Sequence, residues 1–222
     1  MPNFALVTNS DLIDNPSPRC ACMLVLDTSG SMSGDAIDQL NEGFQHFINA
    51  VQQDEVAACS VDVGVITAGG RVVEQLPFTN AMSLEAVQSF GAIGNTPLGE
   101  AVNLALNKLD NRKKEYQKNG VAYYQPWLII ISDGSPTDAY QHAAAKSRQL
   151  SQDRKLVCLP IGVEGADVGV LSEFSSRGAK ALSGLKFQEF FEWLSASMSR
   201  VSASASTSAG VQLPPTNSWE AI

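Results

Sequence analysis

Five oxygen-bearing side chains in this sequence are spaced as a cation site needs them. Asp27-Thr-Ser-Gly-Ser31 places one carboxylate and two hydroxyls, Ser29 and Ser31, at alternate positions directly after an apolar run. Thr96 adds a hydroxyl from a second small-residue segment, Gly94-Asn-Thr-Pro-Leu-Gly99. Asp133 adds a carboxylate from a third, Ser132-Asp-Gly-Ser-Pro-Thr-Asp138. All are hard oxygen donors with no His or Cys among them, which suits Mg2+ or Mn2+ rather than zinc. The pair of carboxylates roughly neutralises a divalent ion and leaves a position open for an acidic group of a partner. Helix N-termini beside such loops favour an incoming anion. A single Ser or Thr in a loop commonly caps a helix or turn; the whole set points to a metal.

Strands and helices must bring these loops together. Ala21 to Leu26 is a continuous apolar run, as in a strand buried on both faces. Ile37, Leu40, Phe44, Phe47, Ile48 and Val51 form one helical stripe. Val61, Val63 and Val65 alternate, and Ala68-Gly-Gly70 turns the chain into Arg71–Leu76, which predicts an antiparallel hairpin. Residues 83–90 read as a short helix. A longer helix carries Val102, Leu104, Ala105, Leu106 and Leu109, with Pro97 in its first turn. Its end, Arg112-Lys-Lys-Glu-Tyr-Gln-Lys118, reads as a solvated helix terminus rather than a binding patch. Trp127–Ile131 is another buried strand, followed by a helix over 138–153, the strand Lys155–Ile161, and helices near 167–177 and 187–200.

This alternation predicts an α/β fold with a mostly parallel sheet, one antiparallel edge strand and helices on both faces. In such folds ligands bind beyond the strand C-termini, where the strand order reverses. The first strand and Trp127–Ile131 flank that crevice, so Asp27 and Asp133 become neighbours although they are far apart in sequence.

The chain has 222 residues, enough for one domain with a tail. Residues 1–19, ending in Asn15-Pro-Ser-Pro18, read as an N-terminal arm; 20–201 as the domain; 202–222 as a flexible Ser/Ala/Pro-rich tail. Trp219 and Ile222 could form a docking tip, but a loose terminus is the simpler expectation. A net charge of −8 argues against nucleic-acid binding. The longest apolar run, Trp127 to Ile131, is far short of the roughly 20 residues that span a bilayer. The N-terminus does not resemble a secretory signal, so the expected location is cytoplasmic. Cys20, Cys22, Cys59 and Cys158 read as reduced thiols, with Cys20 and Cys22 on one face of a strand.

Enzymatic readings compete. Gly30-Ser-Met-Ser-Gly34 fits G-x-S-x-G between a strand and a helix, with Ser33 as nucleophile and Asp133 and His142 following in order. Against a serine esterase, His142 lies on the same helical segment that follows Asp133, whereas the hydrolase His sits on a later loop. The other histidine, His46, lies within the first helix as a surface or boundary residue. A phosphatase using Asp27 as nucleophile lacks the usual second acid, because Ser29 stands in its place. No dinucleotide or P-loop pattern follows a strand.

Asp27-x-Ser29-x-Ser31, Thr96 and Asp133-Gly134 resemble the metal-ion-dependent adhesion site of von Willebrand factor A domains, and the likeness extends over about residues 18–200. The resemblance implies a three-layer, Rossmann-like fold. It implies that Asp27 and Thr96 bind the metal directly or through water, that Ser29 and Ser31 coordinate it, and that Asp133 acts through water. The loops around Gly30, Met32, Asn95 and Gly134 would then meet the partner. Asn95 stands where a second Gly is expected, and Asn tolerates positive φ. The stretches Pro18–Gly34, Thr96-Pro-Leu-Gly-Glu100 and Ser132–Asp138 are similar to small bacterial proteins of the tellurite-resistance-associated type. Those are cytoplasmic, and many occur beside a Ser/Thr kinase and a PP2C-type phosphatase. Some relatives carry a further metal-binding domain where this chain has its tail. The implied function is a non-catalytic, Mg2+-dependent protein-interaction module in a stress or tellurite-resistance system. Service as an adaptor for an AAA+ ATPase is another role that proteins with this domain take.

Overall fold

The computed structural model describes residues 12, 14–133, 135–208 and 210–221. The apolar run after Arg19 forms β1 (Cys20–Asp27), buried along its whole length. It pairs in parallel with β2 (Val61–Gly69) on one side and β4 (Trp127–Ser132) on the other. The hairpin is present: β2 runs antiparallel to β3 (Arg71–Asn80). With β5 (Val157–Gly162) and the short β6 (Lys180–Ala181), the sheet order is β3-β2-β1-β4-β5-β6. The order reverses between β1 and β4, so the ends of these two strands flank the crevice as expected.

Alternation along β1 divides the core into two layers. Cys20, Cys22, Leu24 and Leu26 face one side, and Ala21, Met23 and Val25 the other. The first layer is covered by α1 (Asp35–Gln53) and by α6 (Phe187–Ser202). These two helices touch closely at Gly43, where an added Cβ would lie 2.7 Å from Phe191 Cδ2 and 3.1 Å from the Phe187 carbonyl oxygen. The second layer is covered by α3 (Leu98–Lys118) and α4 (Gln141–Gln152).

Several local expectations are corrected. Residues 84–90 form no helix; only a 3-10 turn, Ala81–Ser83, precedes them. Side chains of α1 serve the backbone there instead. Asn41 Nδ2 donates to the Phe90 carbonyl and Asn41 Oδ1 accepts its N–H, while Gln52 Nε2 donates to the carbonyls of Ala81 and Leu84. Two short helices, α2 (Glu55–Ser60) and α5 (Val168–Ser172), are held by Asp54 and Asp167 at their N-caps.

The end of α3 is not wholly solvated. Arg112 and Tyr116 are buried and reach Asp62 Oδ2 with Nη2 at 2.7 Å and the phenol at 2.5 Å. Arg19 and Asn80 donate to Asp62 Oδ1, both at 3.1 Å. A fully buried carboxylate is thus surrounded by donors, as burial of charge requires.

The stretch expected to be a flexible tail packs on the domain. Leu182 and Glu220 form an antiparallel bridge beside β6, and Lys180 pairs with Glu220 at 2.6 Å. Trp219 is fully buried, edge-on to Phe190 and Trp193. Trp193 Nε1 donates to the Pro214 carbonyl at 2.8 Å. The aromatic ring supplies the burial that the Ser/Ala composition of 202–210 does not foretell. Residues 1–11 and 13 of the expected arm, and Ile222, lie outside the described residues.

Candidate metal centre

Asp27 is the last residue of β1 and is fully buried. Asp27 Oδ1 accepts the Ser29 N–H at 2.9 Å and Oδ2 accepts the Ser132 hydroxyl at 2.6 Å. The first bond bends the chain out of the strand as an Asx-type turn. The second ties the C-terminal ends of β1 and β4. Burial pushes the Asp27 carboxyl pKa up, the bonds from Ser132 and Ser29 oppose this, and the charge of Asp133 adds to the rise.

The Ser29 and Ser31 hydroxyl oxygens are 2.9 Å apart, and the Ser31 hydroxyl donates to Asp133 Oδ2. Asp27, Ser29, Ser31 and Asp133 therefore form one connected group. Thr96 is buried at the neighbouring loop, and its hydroxyl has no hydrogen-bond partner among the described residues. Its carbonyl accepts the N–H groups of Leu98 and Thr137, both at 2.9 Å.

Backbone contacts lock the loops to one another. The Gly30 N–H donates to the Gly94 carbonyl and the Ile93 N–H to the Thr28 carbonyl, both at 2.8 Å. Gly94 has φ 69° and sits so close to the β2–β3 turn that an added Cβ would lie 2.6 Å from Gly70 Cα. The adjacent Asn95 carbonyl accepts the Gly70 N–H at 2.8 Å. Only glycine satisfies both the conformation and the approach at position 94.

Asp138, whose role the sequence did not reveal, completes the clamp. Its carboxylate accepts the Gly99 N–H at 2.9 Å and the Glu100 N–H at 2.8 Å. It caps α3 from the third loop, because Pro97 at the N-cap offers no side-chain acceptor. A helix opening on Pro97-Leu98 without a capping side chain of its own was the available signal.

The expected partner-facing positions divide. Gly30 and Asn95 are exposed, but Met32 is wholly buried in the core, so its side chain presents nothing to a partner. Gly134 lies outside the described residues. An exposed apolar residue not foreseen in the sequence, Ile93, stands beside the site. On the other flank Ser31 and Asp133 border a cavity of about 360 Å³ that also meets Ala36, Val163, Glu164 and Leu185. The serine-hydrolase constellation does not assemble. Ser33 is exposed and makes no side-chain hydrogen bond to His142 or Asp133 among the described residues, while Asp133 is engaged by Ser31.

The chemistry of the group fits a hard divalent cation. Two carboxylates, one buried and both close to hydroxyl oxygens, carry charge that hydrogen bonds only partly offset. Among the described residues no three His, Cys, Asp or Glu gather as a metal-holding cluster, so hydroxyls must complete any such set.

Residues 22–192 match the family model described as von Willebrand factor type A domain. Solved structures with the same fold include a von Willebrand factor type A protein from Catenulispora acidiphila, at 15% identity and TM-score 0.64, covering 82% of this chain and 43% of that one. The pilus adhesin SpaC of Lactobacillus rhamnosus GG, in an open conformation, matches at 12% identity and TM-score 0.68, over 83% of this chain and 30% of its own. Manganese-loaded TRAP protein of Plasmodium vivax matches at 13% identity and TM-score 0.50, over 76% and 69%. The chain thus spans less than half the length of the first two, and at these identities the likeness speaks for the fold. No curated protein matches the chain in sequence.

Proposed function

The chain belongs to the von Willebrand factor type A family, and from that premise we propose that it is a non-catalytic, metal-dependent protein-interaction module. The carrying observation is the connected group of Asp27, Ser29, Ser31 and Asp133 at the reversal point of the sheet. Asp27, Ser29, Ser31, Thr96 and Asp133 would hold Mg2+ or Mn2+. When bound, the ion supplies a Lewis-acidic position that a partner carboxylate completes.

The chain's own residues prepare that position. Ser29 and Ser132 orient the Asp27 carboxylate, and Ser31 holds Asp133. Among the described residues the Thr96 hydroxyl has no hydrogen-bond partner. The loop clamps from Gly94 and Asp138 hold the arrangement before a partner arrives, which lowers the ordering cost of binding. The manganese named for the Plasmodium vivax relative supports the choice of ion class. Among the described residues no hydrogen bond joins Ser33 to His142 or Asp133, which leaves the serine-hydrolase alternative without support.

The partner in this reading is a protein that presents an acidic residue. On the resemblance of Thr96–Glu100 and Ser132–Asp138, the setting proposed is a bacterial stress or tellurite-resistance system in the cytoplasm, with a Ser/Thr kinase, a PP2C-type phosphatase or an AAA+ ATPase as partner. No described helix is long and apolar enough to cross a membrane. The test is capture from native lysate by wild type and Asp27→Ala, each in Mg2+ and in EDTA. Proteins retained only by wild type in Mg2+ are the expected result. An identical retained set in all arms would overturn the metal-bridged reading.

A further inference from the structure

Among the described residues, three large apolar side chains are strongly exposed: Val56 at 49%, Met82 at 55% and Ile93 at 69%. Single exposed apolar residues are ordinary on a protein surface. Val56 and Met82 stand at the end of the sheet where β2 begins and β3 ends, away from the metal centre. Ile93 stands at the metal centre itself, and it is held there.

The segment around Ile93 is pinned on both sides. Phe90 is buried with its N–H and carbonyl bound by Asn41, and Ala92 packs against the core. The Ile93 N–H donates to the Thr28 carbonyl, between Asp27 and Ser29, and Gly94 is fitted against Gly70. A segment that buries Phe90, packs Ala92 partly against the core and bonds its backbone to the metal loop holds Ile93 outward. The exposure is therefore a property of a fixed loop.

We propose that Ile93 is a specificity residue of this interaction site: it receives a bulky apolar side chain adjacent to the carboxylate that the partner offers to the metal. The occupant is a partner segment carrying one acidic residue with an apolar neighbour. The charges around the site favour that chemistry over a run of acids. Asp35, Asp38 and Glu164 are exposed near the loops, Arg71 is exposed beside Gly70 where that turn packs on the Gly94 loop, and the chain carries −8 overall, so one partner carboxylate is accommodated while a run of acids meets repulsion on the Glu164 flank. This inference rests on the metal-bridged reading.

An array of short peptides, each with one central Glu between variable residues in a Gly/Ser background, tests it. The full chain is the probe, in Mg2+ and in EDTA. The expected result is Mg2+-dependent binding that prefers Leu, Ile, Val, Phe or Met over Ser beside the Glu by about tenfold. Ile93→Ser should keep the Mg2+-dependent need for Glu and lose the apolar preference, with an unchanged Tm because the side chain is exposed. Asp27→Ala should lose both. A Mg2+-dependent need for Glu without an apolar preference, or one that Ile93→Ser leaves intact, overturns the role of Ile93 and leaves the metal-bridged reading standing. Absence of any Mg2+-dependent need for Glu overturns that reading and this inference with it.

Discussion

The Ser132 hydroxyl donates to Asp27 Oδ2 at 2.6 Å, across 105 positions of sequence. It joins the ends of two adjacent parallel strands and turns a buried carboxylate toward the loops of both. Because burial raises the Asp27 carboxyl pKa, its charged form is costly in the absence of a counter-ion. Adding Mg2+ or Mn2+ should therefore raise Tm in step with concentration, by about 2.7 kcal/mol of stability at a hundredfold excess over Kd. Asp27→Asn should show no such rise, while its metal-free Tm equals or exceeds that of wild type. Thermal melts with and without metal check this, and an equal rise in both proteins would place the cation elsewhere.

Trp219 carries the packing of the chain's end. Its fully buried ring contacts Phe190 and Trp193 at centroid distances of 5.1 and 5.4 Å. Trp219→Ala should cost about 3–5 kcal/mol. Urea unfolding measures the loss, and limited proteolysis of residues 203–218 should accelerate in the variant. Unchanged stability would mean that these residues do not pack as described.

Asp62 depends on its donors. Removing one partner of a buried ion pair leaves charge without compensation, so Arg112→Ala should destabilise by about 3–5 kcal/mol. Tyr116→Phe removes a single hydrogen bond and should cost about 1–3 kcal/mol. Denaturation midpoints of the two variants should fall in that order.

Thiol reactivity should single out Cys59. Cys20, Cys22 and Cys158 are buried, and burial pushes Cys22 and Cys158 up to about 12 and Cys20 well above its ordinary value. Cys59 is only partly buried. Thiolate is the reactive form, so a thiol reagent at pH 8 should modify Cys59 first in the native protein and all the cysteines after denaturation. Fast modification of Cys22 or Cys158 would contradict the packing of β1 or β5.

Asp54 makes one source of stability pH-dependent. Bonds from the Ser199 hydroxyl and the Ala57 N–H hold its carboxyl below the ordinary value. A lowered native pKa stabilises above the unfolded value, and the benefit is lost as pH falls through the native one. Asp54→Ala should therefore cost about 1 kcal/mol at pH 7, with the difference from wild type shrinking toward pH 3. Urea midpoints at both pH values test the sign.

The legibility of the site followed from local chemistry. The apolar runs before Asp27 and Asp133 could be read as buried strands because both faces of a parallel strand need apolar residues. Their loops could be read as candidate oxygen donors because Ser, Thr and Asp gather at both strand ends, although each of them alone also serves as a helix or turn cap. Met32, one of the expected partner-facing positions, is buried instead, since one residue of rotation within Asp27–Gly34 decides whether it faces the core or the solvent. Arg112 looked solvated because helical spacing does not disclose that Asp62, on another strand, lies beneath it. The missing helix at 83–90 failed for a similar reason: Asn41 and Gln52 capture backbone groups that a helix would otherwise pair.

By itself the sequence determined the α/β class, the hairpin, the reversal between the first and fourth strands, and the donor types available for a cation. Those depend on periodicity and residue type, which act over a few positions. Only the tertiary structure decided that Ser31 bonds Asp133, that Asp138 caps a helix from another loop, that Trp219 closes the core, and that Ile93 stands outward on a fixed loop. These relations join residues far apart in the chain, and their energies arise from packing and desolvation that exist only once the strands have met.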